Sequence, residues 1–137
     1  MKTTARNELN GTIIEIKSGG VMSEVVVKIA ENLTISATIT NDAKEALNLQ
    51  VGGSISVIIK SSLVILSKEK LRVTARNNIL TKVAKVIKGA VNSEVKLSLG
   101  DKELCAIITN ESVSDLKIQT GDEVYAIIKA SSVILVG

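Results

Sequence analysis

Several short polar blocks in this chain occur twice, and together they form a set of hydrogen-bond donors. Thr4-Ala5-Arg6-Asn7 returns letter for letter as Thr74-Ala75-Arg76-Asn77. Lys60-Ser61-Ser62 follows Ile58-Ile59, and Lys129-Ala130-Ser131 follows Ile127-Ile128. Ser23-Glu24 returns as Ser93-Glu94, and Thr40 returns as Thr109. Guanidinium, ammonium and hydroxyl groups beside small residues, which let backbone N–H groups approach a ligand, suit a small oxyanion. Each residue also has a plainer use. Arg6 is equally suited to an ion pair with Glu24, and Asn7 to a turn. Lys60 suits a gatekeeper on a sheet edge, and Thr40 with Asn41 a helix cap.

What the chain lacks narrows its chemistry further. It has no His, Phe, Trp or Pro, one Tyr (Tyr125) and one Cys (Cys105). That excludes His- or Cys-rich metal centres, nucleophilic triads that use His, and a disulfide framework. No paired catalytic carboxylates can be assembled either, so no enzyme is expected. Near-absence of aromatic rings argues against base-stacking nucleic-acid platforms. A net charge of +3 demands no polyanion. No apolar run is long enough to span a membrane, and the opening residues lack the apolar core of a signal peptide. With one cysteine and no export signal, the expected compartment is the cytoplasm.

The paired blocks belong to a tandem repeat. Gly19-Gly20-Val21-Met22-Ser23-Glu24-Val25 returns as Gly89-Ala90-Val91-Asn92-Ser93-Glu94-Val95, and Ala37–Asn41 as Ala106–Asn110. Ile58–Leu66 returns as Ile127–Leu135, all in the same order. The expected modules are 1–67 and 71–137, joined at Ser67-Lys68-Glu69-Lys70. In each module the pattern predicts strands at Thr12–Lys17, Ser23–Ile29 and Thr34–Ile39, or their counterparts. A short helix over Asp42–Leu47 follows, capped by Thr40-Asn41; Asn110 and Glu111 open its counterpart. A fourth strand, Ser54–Lys60 or Glu123–Lys129, and a fifth, Leu63–Leu66 or Ser132–Val136, complete the set. Five short strands and one small helix predict an all-β architecture of two tandem OB-like five-stranded barrels. Gly11 in the first module faces Thr81 in the second, a difference placed at a strand start. Modules this small, with cores of Val, Ile, Leu and Ala, call for association into an oligomer.

Thr-Ala-Arg-Asn, twice, resembles the Ser-Ala-Arg-Asn signature of the molbindins, the small molybdate-binding Mop domains of the TOBE superfamily. Gly89–Val95 and Ile128–Leu135 resemble two further blocks of that family. The resemblance runs across nearly the whole chain, twice and in order, in the manner of a tandem di-Mop protein. It implies a trimer of tandem chains, with molybdate or tungstate held between modules of different chains. The oxyanion would be bound by donors, without direct metal ligation. The resemblance assigns it to Thr4, Ala5 and Arg6 with Thr74, Ala75 and Arg76; to Thr40 and Thr109 with Ser112; and to Lys60-Ser61 and Lys129-Ala130. A second kind of site would use Gly20, Val21 and Ser23 and their counterparts Ala90, Val91 and Ser93.

Departures from the pattern fall mainly in the first module, where Gly20 and Met22 face Ala90 and Asn92, and Ala43 faces Ser112. The second module is therefore expected to bind better, and Lys129→Ala to cost more affinity than Lys60→Ala. The reading is an intracellular molybdate store, buffer or carrier. Its rivals are the effector module of a molybdate-responsive regulator or transporter, and an OB-type nucleic-acid binder. With the first module starting at residue 4 and no P-loop, the chain is expected to hold no room for a helix-turn-helix or nucleotide-binding domain.

Overall fold

Alternation of aliphatic and polar residues sets the strands. In β2 (Met22–Ala30) Ser23, Val25, Val27 and Ile29 are buried while their neighbours are not, and β3 (Leu33–Thr40) buries Leu33, Ile35 and Ala37. A period of two with one face inward is the signature of a half-buried strand. The structure, a computed structural model, describes residues 3–137. The remaining elements of the first repeat are β1 (Asn7–Ser18), α1 (Asn41–Ala46), β4 (Ser54–Ile59) and β5 (Ile65–Ser67). The second repeat gives β6 (Asn77–Lys88), β7 (Asn92–Leu99), β8 (Lys102–Thr109), α2 (Asn110–Asp115), β9 (Glu123–Ile128) and β10 (Val133–Val136).

These strands form two five-stranded antiparallel sheets, ordered β10-β4-β1-β2-β3 and β5-β9-β6-β7-β8. Each sheet curls until its edge strands approach one another, β10 against β3 and β5 against β8. The all-β, OB-like architecture expected from the sequence is therefore present.

The spatial division differs from the repeat. Unit 1 is the chain up to Ile59 together with Lys129–Gly137; unit 2 is Lys60–Ile128. The fifth strands are exchanged: Val133 pairs with Ile59 and Leu135 with Val57, whereas Ile65 pairs with Ile127 and Ser67 with Tyr125. The modules 1–67 and 71–137 describe the repeat in sequence, and the folded units cut across them. After β4 the chain passes through extended Lys60 into a single 3-10 turn, Ser61–Leu63, and leaves through extended Val64. The counterpart turn is Ala130–Ser132. Both fifth strands are accordingly shorter than the apolar runs suggest.

Unit 1 centres on Ile13, Val25, Val27, Ile35, Val57 and Ile59, and unit 2 on Val83, Val95, Leu97, Leu104, Val124 and Ile128; none exceeds 1% exposure. Without aromatics, each core is a close-packed set of branched aliphatics.

β1 starts five residues earlier than its β-branched run, because its first half pairs with β4 (Asn7↔Ile59 to Thr12↔Ser54) and its second half with β2. Gly11 lies inside this strand and not at its start. A Cβ there would stand 2.5 Å from the Lys28 carbonyl oxygen and 2.7 Å from Val27 Cγ1. In unit 2 the same position holds Thr81, 3% exposed, whose hydroxyl donates to the Val124 carbonyl at 2.9 Å. The expected strand-start difference is thus a mid-strand difference in packing.

The segment that joins the repeats is fastened to unit 2. Lys68 Nζ donates to the Lys117 carbonyl at 2.8 Å and pairs with Asp122 Oδ2 at 3.2 Å. Asp122 also accepts the Gln119 N–H at 2.9 Å. That backbone hydrogen bond, then the Lys68 ammonium, lowers the Asp122 pKa from its ordinary 3.8.

Two predictions follow from these contacts. Gly11→Ala must displace a carbonyl and two core side chains and should destabilise the protein by about 1–3 kcal/mol in thermal or urea unfolding. Because the folded-state pKa of Asp122 is lowered, its contribution is present above the ordinary carboxylate pKa and is lost as pH falls through the depressed value. Wild type and Asp122→Asn should therefore differ in melting temperature near neutrality and converge only as the pH falls below the lowered Asp122 pKa.

Candidate functional site

Thr40 ends β3 and caps α1: its backbone is extended, and its hydroxyl oxygen accepts the Ala43 N–H at 3.1 Å. The cap places the Thr40 hydroxyl at the rim of a cavity of about 370 Å³ in unit 1. Thr38, Thr40 and Ala43 line one side, Ser131 and Val133 the other, with Met22 nearby. Lys129 precedes that second wall, exposed, and Ala130 is buried beneath it. Strand exchange is what brings Thr40, from the first repeat, to the Lys129-Ala130-Ser131 turn of the second.

Unit 2 has the reciprocal arrangement. The Ser61–Leu63 turn packs on β8, the strand that ends at Thr109. Lys60 is exposed and Ser61 is 7% exposed. Here the Thr109 hydroxyl donates to Ser112 Oγ at 2.8 Å and accepts the Ser112 N–H at 3.1 Å. Ser112 keeps its own hydroxyl proton for a further acceptor. In unit 1 Ala43 leaves no counterpart to that second hydroxyl.

The Thr-Ala-Arg-Asn segments lie elsewhere in each unit. Thr4, Arg6, Thr74 and Arg76 are exposed ahead of β1 and β6, with Ala5 and Ala75 half-buried. Asn7 and Asn77, at 2% and 4% exposure, open their strands from inside the fold. None of these residues lines the unit 1 cavity.

The glycine loops are fixed by an asparagine that the sequence marks only as a helix cap. Gly19 donates its N–H to the Met22 carbonyl at 2.8 Å, and Asn41 its N–H to Val21 at 2.9 Å. The Asn41 side chain donates to the Gly19 carbonyl at 3.0 Å and accepts the Ser23 hydroxyl at 2.5 Å. Gly89, Val91, Ser93 and Asn110 repeat this pattern in unit 2. Ser23 and Ser93 are buried, so their hydroxyls serve the loop's shape, whereas Val21 and Val91 protrude at 73% and 69% exposure.

Near these serines the two units supply a cation differently. Lys44 from α1 donates to Ser18 at 2.7 Å in unit 1. In unit 2 Lys88 of β6 lines a cavity of about 310 Å³ with Ser93, Asn110, Glu111 and Ser114. Among the described residues, no three His, Cys, Asp or Glu side chains could together hold a metal ion, and no helix is long and apolar enough to cross a membrane.

Curled five-stranded sheets, each with one capped helix and a repeated donor loop, define a class, and the comparisons agree with it. Residues 3–66 and 74–135 each match the TOBE domain, and the chain belongs to that family as a tandem of two. Its fold matches the crystal structure of the cytoplasmic molybdate-binding protein ModG with molybdate bound, at a TM-score of 0.94 and 34% identity over 98% of both chains. The molybdenum transport protein ModE of Azotobacter vinelandii is 36% identical over 98% of this chain and 51% of its own length. The molybdenum-pterin-binding protein MopA of Rhodobacter capsulatus is 33% identical over 98% of this chain and 52% of its own. The chain thus spans about half the length of these two relatives.

Asn110→Ala should remove both side-chain bonds that fix the Gly89–Val91 loop and leave the buried Ser93 hydroxyl without its acceptor. The expected cost is about 1–3 kcal/mol in urea unfolding. Amide exchange at Gly89 should be faster in the variant, because its loop loses its brace.

Proposed function

We propose that this chain binds molybdate, and tungstate with it, as a non-catalytic cytoplasmic store or buffer for molybdenum. The observation that carries this reading is the 34% identity to molybdate-bound ModG over 98% of both chains. The donor chemistry supports it. Hydroxyls of Thr40, Thr109 and Ser112, the ammonium groups of Lys60 and Lys129, and small residues such as Ala130 suit a fully deprotonated tetrahedral dianion. Arg6, which does not line the unit 1 cavity, and Arg76 fit the same reading as donors to an anion held by a neighbouring chain.

The assembly in this reading is a trimer of tandem chains. Exposed Val21, Val91, Ile65 and Ile134, each above 55% exposure, give apolar surface that association would bury. No nucleic acid or membrane has a part in it.

Selectivity follows from protonation. Phosphate keeps a proton near neutral pH, and in a pocket made of donors that proton meets another donor. The mismatch costs about 1–3 kcal/mol. Sulfate carries no proton, so only its smaller size counts against it. Tungstate matches molybdate in charge and nearly in size.

A second reading is favoured by the match to ModE over 98% of this chain and about half of that relative. Under it, the same oxyanion site serves as the sensing module of a larger regulator. Small-angle scattering separates the two, since a sensor must change its quaternary arrangement on loading and a store need not.

The function is tested by thermal unfolding with added oxyanions at matched ionic strength. Molybdate and tungstate should raise the melting temperature, through binding to the native state alone, and phosphate should not. Equal stabilisation by phosphate would contradict the donor-pocket argument. Light scattering should give three times the 14.5 kDa chain mass, and a folded monomer at micromolar concentration would refute the trimer.

A further inference from the structure

We infer that the outer sheet face of unit 2, where Leu80 and Tyr125 project, docks on the outer sheet face of unit 1 of a second copy of this chain, where a hollow stands at the equivalent place. This rests on the association proposed above and names the two surfaces that meet in it.

The two faces occupy the same position in the repeat. In unit 1 Asn10 of β1 pairs across the sheet with Ser56 of β4, and their strand neighbours Leu9, Ile55 and Val57 are buried. By the alternation of a strand, Asn10 and Ser56 therefore lie on the outer side. In unit 2 the corresponding pair is Leu80 of β6 and Tyr125 of β9. Leu80 is 51% exposed, and Tyr125, the one aromatic residue of the chain, is half-buried. With Asn and Ser in place of Leu and Tyr, unit 1 carries here a cavity of about 330 Å³, lined by Asn10, Ser54, Ser56 and Val136.

The chemistry of the faces is complementary. Leucine and tyrosine give an apolar body that gains by leaving water, and a phenol taken out of water needs a hydrogen-bond partner. The hollow supplies one. Ser56 Oγ donates to Asn10 Oδ1 at 2.7 Å, so the Asn10 carboxamide keeps its N–H groups for the Tyr125 oxygen. The rims match as well. When β6 of one copy runs against β1 of the next, position 82 comes over position 8 as position 80 comes over position 10. Exposed Lys82 then meets exposed Glu8. An apolar, aromatic centre inside a charged rim is the usual anatomy of a protein contact.

Neither face matches itself in this way. The equivalent of Lys82 in unit 1 is Thr12, and the equivalent of Glu8 in unit 2 is Asn78. A unit 2 face laid on its own copy would set Lys82 against Asn78 and give Tyr125 no hollow to enter. The contact is therefore directional. Each copy offers one face and receives on the other, and three copies closing in a ring satisfy every face.

Sedimentation velocity of the full chain tests this. Leu80→Lys removes the projection, Ser56→Arg fills the hollow, and circular dichroism checks that both variants fold. Each alone should sediment as the 14.5 kDa chain at concentrations where wild type is associated. Mixed in equal amounts, they should form a complex of two chains and no larger species. That complex is joined through the intact hollow of the first variant and the intact projection of the second. Lys82→Glu should weaken association about tenfold, and adding Glu8→Lys to the same chain should restore it. A Ser56→Arg chain that associates as wild type does, or a mixture that stays as single chains, would overturn this contact and leave association by another surface standing. A monomeric wild type would overturn the contact and the proposed trimer together. A wild type that assembles through these residues without being stabilised by molybdate would overturn the oxyanion reading and support the contact.

Discussion

A curled sheet whose buried core holds no aromatic residue depends on having all five of its strands. β4 lies between β10 and β1, and Val57, Ile58 and Ile59 are all buried in succession. Without β10, one edge of β4 would present unpaired N–H and C=O groups beside apolar side chains, an aggregation template as well as a loss of burial. Val133 and Leu135 fill that gap at 3% and 8% exposure, each worth about 1.5–3 kcal/mol in hydrophobic burial. Because the filling strand comes from the other repeat, the polar turn preceding it also comes from there. The makeup of the candidate pocket is thus a by-product of completing the sheet.

Much of this was legible beforehand. Alternation marked β2, β3, β7 and β8 within a residue or two, and Thr40-Asn41 and Asn110-Glu111 marked both helix starts, the cap of the second being Thr109. The exchange was not legible, for a physical reason. Ile58-Ile59 and Ile127-Ile128 offer nearly the same edge, so no local feature says which of them the run Leu63–Leu66 joins. The first half of β1 was hidden because Asn7 read as a turn residue and Gly11 as a strand start, and only pairing with β4 makes this stretch a strand. The donors came through as residue types, and the second hydroxyl at Ser112 was visible against Ala43. Which 3-10 turn packs on the strand before it was not, because that depends on pairing. Asn41 and Asn110 passed for caps, since their bonds to the glycine loops span some twenty residues.

The two units reach similar local shapes through different chemistry. The serine–asparagine brace is common to both, but the nearby cation comes from a helix in unit 1 (Lys44) and from a strand in unit 2 (Lys88). Likewise Gly11 admits a close backbone approach, while Thr81 occupies the same place and donates to a carbonyl. A duplicated module under separate substitution keeps backbone geometry and lets the donor count drift. That leaves two halves alike in fold and different in the polar groups they present.

Unit 2 occupies one uninterrupted stretch, Lys60–Ile128, whereas unit 1 needs segments from either side of it. On a ribosome emitting the chain from its N-terminus, β1 to β4 appear first yet lack their fifth strand until β10 has been made. The later-synthesised unit can therefore close before the earlier one, inverting the usual N-to-C order of folding. During that interval the waiting half carries an open β4 edge, and the pairs that close it, Val133↔Ile59 to Val136↔Ser56, join residues more than half the chain apart, the kind of pairing that slows folding. Crowding several nascent chains on one message would expose like edges to like edges, so strand exchange within a chain would compete with exchange between chains.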